Sequence, residues 1–80
     1  MFDDKVLLIS GGTGSFGNAV LRRLLNSNIK EIRILSRDEL KQNNMRIFYN
    51  NDKLKFYLGD VRDLDNLNES VQGVDFIFHA

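Results

Sequence analysis

Four apolar residues in a row, Val6-Leu7-Leu8-Ile9, stand near the start of the chain. A run with no polar alternation reads as a strand covered on both faces, here residues 5–10. The period then changes. Phe16, Val20 and Leu24 fall four apart, as do Leu21 and Leu25, which lays one broad apolar stripe on a helix over residues 15–26. Ser27-Asn28 is its stop. Ile32 and Ile34 alternate with Glu31 and Arg33 and predict a second strand at 31–35. Ser36-Arg37-Asp38-Glu39 has the S-x-x-E form of a capping box and is expected to start a helix to about Phe48. That helix carries a polar stretch, Lys41-Gln42-Asn43-Asn44, in which asparagine is a poor helix former. Residues 49–52 read as loop and 54–58 as a third strand alternating around Lys55. Asp63 is the expected N-cap of a short helix whose Leu64, Leu67 and Val71 share a face, closed by Gly73 at the position after the last turn. A fourth strand at 75–79 carries Phe76, Ile77 and Phe78.

Strand and helix alternate throughout, so the strands are expected to be parallel and joined by right-handed crossovers. The first and fourth strands are the least interrupted by charge, which suits the inner pair of a sheet ordered 3-2-1-4. The fourth strand would show an open edge, with Phe76 and Phe78 half covered. The 80 residues are therefore expected to be the N-terminal piece of a larger protein.

Composition narrows the function classes. With 42% hydrophobic and 28% charged residues, the chain has the make-up of a folded domain rather than a disordered segment. Eleven basic and eleven acidic residues cancel, so no field argument favours nucleic acid or an anionic membrane. Cysteine is absent, which excludes disulfides and thiolate metal sites. No apolar stretch approaches the roughly 18 residues needed to span a bilayer. The acidic start, Met1-Phe2-Asp3-Asp4-Lys5, is unlike a signal peptide. The expected location is the cytoplasm.

Candidate chemistry sits where the first strand gives way to the first helix, in Ser10-Gly11-Gly12-Thr13-Gly14-Ser15-Phe16-Gly17. Glycines at this junction suit a dinucleotide. Gly12 is assigned the tight turn, Gly14 the bare main chain that a pyrophosphate can approach, and Gly17 the close packing of helix on strand. The N–H groups of the first helical turn and the helix dipole then favour the phosphates. Gly12 and Gly17 also have the spacing of a nucleoside-triphosphate loop. That loop needs a lysine and a hydroxyl next, and Asn18-Ala19 supplies neither.

The end of the second strand bears on the cofactor. An NAD-preferring site places Asp or Glu there for the ribose 2′-OH; this chain has Ser36 followed by Arg37. A hydroxyl and a guanidinium suit a 2′-phosphate, and Lys41 adds a further positive charge one turn on. NADP is favoured. After the third strand, Asp60 is placed to accept the adenine amino group while Val61 packs on the ring. His79, the single histidine, is expected as a packed strand-end residue.

The loop at 10–17 resembles the T-G-x-x-G-x-x-G of extended short-chain dehydrogenase/reductases, with Ser10 for the usual threonine. Gly59-Asp60-Val61-Arg62-Asp63 and Val74-Asp75-Phe76-Ile77-Phe78-His79-Ala80 are similar to the same superfamily. Taken with Ser36-Arg37-Asp38-Glu39, the loop more narrowly resembles bacterial UDP-N-acetylglucosamine 4,6-dehydratases, over nearly all 80 residues. The resemblance implies an α/β fold: the N-terminal half of a Rossmann-type doubly wound parallel sheet, with residues 1–80 forming an incomplete NADP-binding half-domain. It implies that Gly11, Gly12, Thr13, Gly14, Ser15, Phe16, Gly17, Ser36, Arg37, Asp38, Glu39, Leu40, Lys41, Asp60, Val61 and Ala80 hold NADP. It also implies a homo-oligomeric complete enzyme acting on UDP-N-acetylglucosamine, which oxidises the sugar at C4, eliminates water across C5–C6 and returns the hydride at C6. The family's catalytic groups fall outside these 80 residues. The alternatives are an epimerase or reductase of the same superfamily, a non-catalytic NADP-binding module, or an inert truncated product.

Overall fold

In the computed structural model, which describes residues 2–60, 62–63 and 68–80, the apolar run becomes the centre of the protein. Strand β1 (Val6–Ser10) is buried at all five positions. It pairs in parallel with β2 (Glu31–Ser36) on one side and β4 (Phe76–His79) on the other, and β3 (Leu54–Leu58) lies beyond β2. The order is β3-β2-β1-β4, as the pattern predicts. Leu7 stands beside Ile32 and Phe76, and Ile9 beside Ile34 and Phe78, so one pleat face is apolar across three strands.

Helices α1 (Ser15–Leu24) and α2 (Glu39–Tyr49) join that face, where Leu7, Ile9, Leu21, Ile29, Ile32, Ile34, Met45 and Leu54 form the main core. Leu8 and Leu35 point to the other face and meet Val71 of the short α3 (Asn68–Val71). The expected start of α3 at Asp63, with Leu64 and Leu67 on its face, lies largely outside the described residues. The charge in the middle of β2 has a purpose here. Arg33 pairs with Glu31 and donates from Nη1 to the carbonyls of Glu69, Ser70 and Gln72 at 3.2, 3.0 and 2.6 Å. A guanidinium placed on the last carbonyls of α3 meets the negative end of its dipole.

Two boundaries differ from the expectation. Helix α1 stops at Leu24 rather than Asn26. The start of α2 differs more: Ser36 is not its cap. The β2–β3 ladder continues to the pair Ser36–Leu58 and holds Ser36 in the strand. Asp38 is the N-cap instead, accepting from the Lys41 N–H at 3.0 Å, and Glu39 opens the helix. The polar stretch inside α2 is explained by Gln42, which is buried. Its Nε2 donates to Ser36 Oγ at 3.0 Å and to the Tyr57 carbonyl at 2.8 Å, tying α2 to the ends of two strands.

One face of β4 is partly covered. Phe2 meets Phe76 and Phe78 edge-on, with ring centroids 5.2 and 6.1 Å apart, and Phe76 and Ile77 remain exposed.

Candidate dinucleotide site

The carboxyl ends of all four strands open on one side of the sheet, and the glycine turn closes over β1. Gly11 takes the left-handed angle, φ +65°, while its N–H donates to the Leu35 carbonyl at 2.8 Å. The tight turn assigned to Gly12 therefore belongs to Gly11. Gly12 is held small by its neighbours: a Cβ there would lie 3.1 Å from Ile34 Cγ2 and Cδ1 and from the Ile9 carbonyl. A Cβ on Gly17 would lie 2.6 Å from Gly12 Cα and C, so helix and turn are in direct contact. At Gly14 the nearest atom to such a Cβ is the Gly11 carbonyl oxygen at 3.8 Å, which leaves that backbone open to a ligand.

The two helix starts differ. Helix α1 begins at Gly14 with no side-chain cap and no acidic residue in its first turn, and it ends on Arg22 and Arg23. Its first N–H groups have no partner inside the helix, and the dipole there favours an anion. Helix α2 is closed by Asp38 and carries Glu39 in its first turn. Asn18, which stands where a triphosphate loop would have lysine, braces the turn. Its Nδ2 donates to the carbonyls of Gly14 at 2.9 Å and Thr13 at 3.3 Å.

A cleft of about 1050 Å³ runs along the strand ends. Of the expected site residues, Gly11, Thr13, Ser36, Arg37, Asp38, Glu39, Lys41, Asp60 and Ala80 line it. Gly12, Gly14, Ser15, Phe16, Gly17 and Leu40 lie outside that lining; Phe16 and Leu40 are exposed elsewhere, at 60% and 70%. Val61 falls outside the described residues. Ser36 is buried with its Oγ held by Gln42, whereas the Arg37 guanidinium is open to solvent, 3.6 Å from Asp60 Oδ2. The Ala80 N–H donates to the Ser10 carbonyl at 2.9 Å. The Ala80 carbonyl oxygen would lie 3.0 Å from a Cβ on Gly11.

Two residues of this edge make contacts that the sequence did not disclose. Arg62 grips Asp60, with Nη2 2.6 Å from Oδ2 and both Nε and the backbone N–H on Oδ1. His79 is exposed rather than packed, and its Nδ1 lies 2.6 Å from Ser10 Oγ. The rule that ligands of open parallel sheets sit at strand carboxyl ends was the available signal for both.

The Arg62 side chain, then its backbone N–H, then the charges of Arg62 and Arg37 hold the Asp60 carboxyl well below the usual carboxylate range. A folded-state pKa below the unfolded one stabilises the protein above the ordinary carboxylate range, and that contribution is lost as pH falls through the lowered value. Following the Asp60 carboxyl carbon by NMR during acid titration is expected to show it protonating below the usual carboxylate range. In Arg62→Ala, which loses the guanidinium but keeps the backbone N–H and Arg37, the midpoint should rise toward that range. A native midpoint inside the usual carboxylate range would show that the bridge is absent.

The sheet order and the glycine turn define a Rossmann-type half-sheet. Residues 7–80 match the family described as "Polysaccharide biosynthesis protein", and the chain belongs to that family, among the extended short-chain dehydrogenase/reductases. It is 63% identical over 84 aligned positions to a UDP-glucose 4-epimerase of Rickettsia prowazekii (strain Madrid E), covering 100% of this chain and 25% of that protein. The corresponding protein of Rickettsia bellii (strain RML369-C) is 61% identical over the same shares. Among solved structures, Pen from Bacillus thuringiensis superposes with a TM-score of 0.91 at 31% identity, over 100% of this chain and 25% of Pen. WbmF of Bordetella bronchiseptica, solved in complex with NAD+, shares the fold with a TM-score of 0.74 at 19% identity, over 99% of this chain and 23% of that one. The chain thus spans about a quarter of the length of the curated relatives it matches. Among the described residues no helix is long and apolar enough to cross a membrane.

Proposed function

We propose that this chain is the NADP-binding portion of an enzyme that modifies a UDP-linked sugar for polysaccharide synthesis, beginning with oxidation at C4. One observation carries the reading: the turn at Gly11 and Thr13 and the cations Arg37 and Lys41 line a single cleft at the strand ends. The open start of α1 and the bare backbone at Gly14 fit a pyrophosphate. Arg37 and Lys41 fit a ribose 2′-phosphate, and Asp60, ionised and acceptor-only, fits the adenine amino group. The nicotinamide, when bound, accepts and returns a hydride. The residues of this chain bind and orient it; the groups that move protons on the sugar belong to no position within these 80 residues.

For the overall reaction, the combination of residues 10–17 with Ser36-Arg37-Asp38-Glu39 supports dehydration of UDP-N-acetylglucosamine. A second reading, epimerisation at C4, draws on the name of the Rickettsia relatives. Both begin by removing hydrogen at C4. The test is product analysis of the complete polypeptide that carries these residues, supplied with UDP-N-acetylglucosamine or UDP-glucose. Loss of one water from the sugar supports dehydration, and an unchanged mass with C4 inverted supports epimerisation. If neither sugar changes and no nicotinamide cofactor binds, the proposal fails.

A further inference from the structure

Asn18 reaches in two directions. On one side its Nδ2 holds the Gly14 and Thr13 carbonyls of the turn. On the other, its Oδ1 accepts from the Tyr49 hydroxyl at 2.9 Å. Tyr49 is the last residue of α2, partly buried, with its ring edge-on to Phe48 at 5.0 Å and packed against the main core. A hydroxyl that donates to Oδ1 fixes the amide orientation of Asn18, because the amide then has only its NH₂ left to turn toward the carbonyls. Each peptide is trans and planar, so the Gly14 carbonyl, which accepts from the Asn18 backbone N–H at 3.0 Å and is held a second time by Nδ2, turns the following N–H, that of Ser15, the opposite way. Ser15 opens the uncapped helix α1. The chain of contacts therefore runs from the end of α2, through Asn18, to the direction of the N–H groups at the start of α1.

We infer that Tyr49 is a positioning residue for dinucleotide binding, acting through Asn18 to hold the glycine turn in its phosphate-accepting form. The inference rests on the reading above, that this turn takes a pyrophosphate. It also gives α2 two functions at opposite ends: Lys41, in its first turn, lines the cleft, and Tyr49, about 12 Å further along the helix axis, steadies the turn.

The test compares two ligands in the complete protein. NADP presents the pyrophosphate; adenosine 2′-monophosphate presents the ribose phosphate and no pyrophosphate. Tyr49→Phe, which removes a single hydroxyl, is expected to weaken NADP about threefold to tenfold, the worth of one neutral hydrogen bond. It should leave adenosine 2′-monophosphate binding unchanged, while the ligand-free unfolding midpoint falls only by what one partly buried hydroxyl contributes. Asn18→Ala is expected to weaken NADP at least as much, and the double variant no more than Asn18→Ala alone, since both act along one route. Tyr49→Phe carries the test by itself if Asn18→Ala does not fold. Equal weakening of both ligands, additive losses, or no effect of Tyr49→Phe on NADP overturns the inference alone. A native protein that binds neither NADP nor NAD overturns the functional reading and this one with it.

Discussion

Replacing Gly17 with alanine is expected to destabilise the protein by about 2 kcal/mol net, from an overpacking cost of about 3 kcal/mol, the upper range for a tight contact. The new Cβ would meet backbone atoms of Gly12 at 2.6 Å, and backbone cannot rotate aside as a flexible side chain can. Against this stands a gain of about 1 kcal/mol for alanine over glycine inside a helix. The clash wins, and α1 must move away from the turn. That shift would carry the first N–H groups of α1 away from the phosphates, so dinucleotide binding should fall as well. Gly14→Ala is the matched control. Its φ of −84° suits alanine, and a Cβ there meets nothing closer than 3.8 Å. It should leave the denaturation midpoint nearly unchanged and weaken the dinucleotide by filling the approach to the backbone. Urea unfolding and cofactor titration of the two variants check this. A Gly17→Ala midpoint equal to or above the native one would show that α1 accommodates the methyl group and that the contact does not set the helix position.

The same glycines show how far the sequence could be read. Strand order and parallel pairing were legible because the apolar runs differ in kind: Val6 to Ile9 is continuous, whereas residues 31–35 and 54–58 carry charges. The division of labour between Gly11 and Gly12 was not legible. Both are glycine and both are crowded, Gly11 by the Ala80 carbonyl and Gly12 by Ile34, and only the fold shows that Gly11 is the one that takes the positive φ. Ser36 and Asp38 are both good caps two residues apart, and local preference cannot choose between them. The ladder to Leu58 chooses, by keeping Ser36 in the strand. The strand-end rule puts Arg62 and His79 at this edge, but the grip on Asp60 and the contact with Ser10 have no local signal. Their place beside the cleft comes from the register of β3 and β4 against their neighbours, which is a property of the sheet.

Removing Arg37 and Lys41 together is expected to cost NADP about 3 kcal/mol of binding, roughly 100-fold, while NAD changes little. An exposed cation paired with one carboxylate contributes at most about 1 kcal/mol, and Arg37 is 73% exposed beside Asp60. A 2′-phosphate differs from that carboxylate in carrying up to two charges and in accepting paired bonds from a guanidinium. Asp60 does not undo the effect, because Arg62 holds it more closely than Arg37 does, at 2.6 against 3.6 Å. NAD offers a neutral hydroxyl at the same place and gains little from either cation. Since Arg37 is solvent-exposed, the preference for NADP should narrow as salt rises toward a Debye length of about 3 Å at 1 M. Titrating native protein and the Arg37→Ala/Lys41→Ala variant with both cofactors, at low and high salt, measures each part. Parallel losses for NADP and NAD would place these cations elsewhere than the 2′-phosphate. A native protein with equal affinity for the two would remove the case for NADP while leaving the glycine turn as a dinucleotide site.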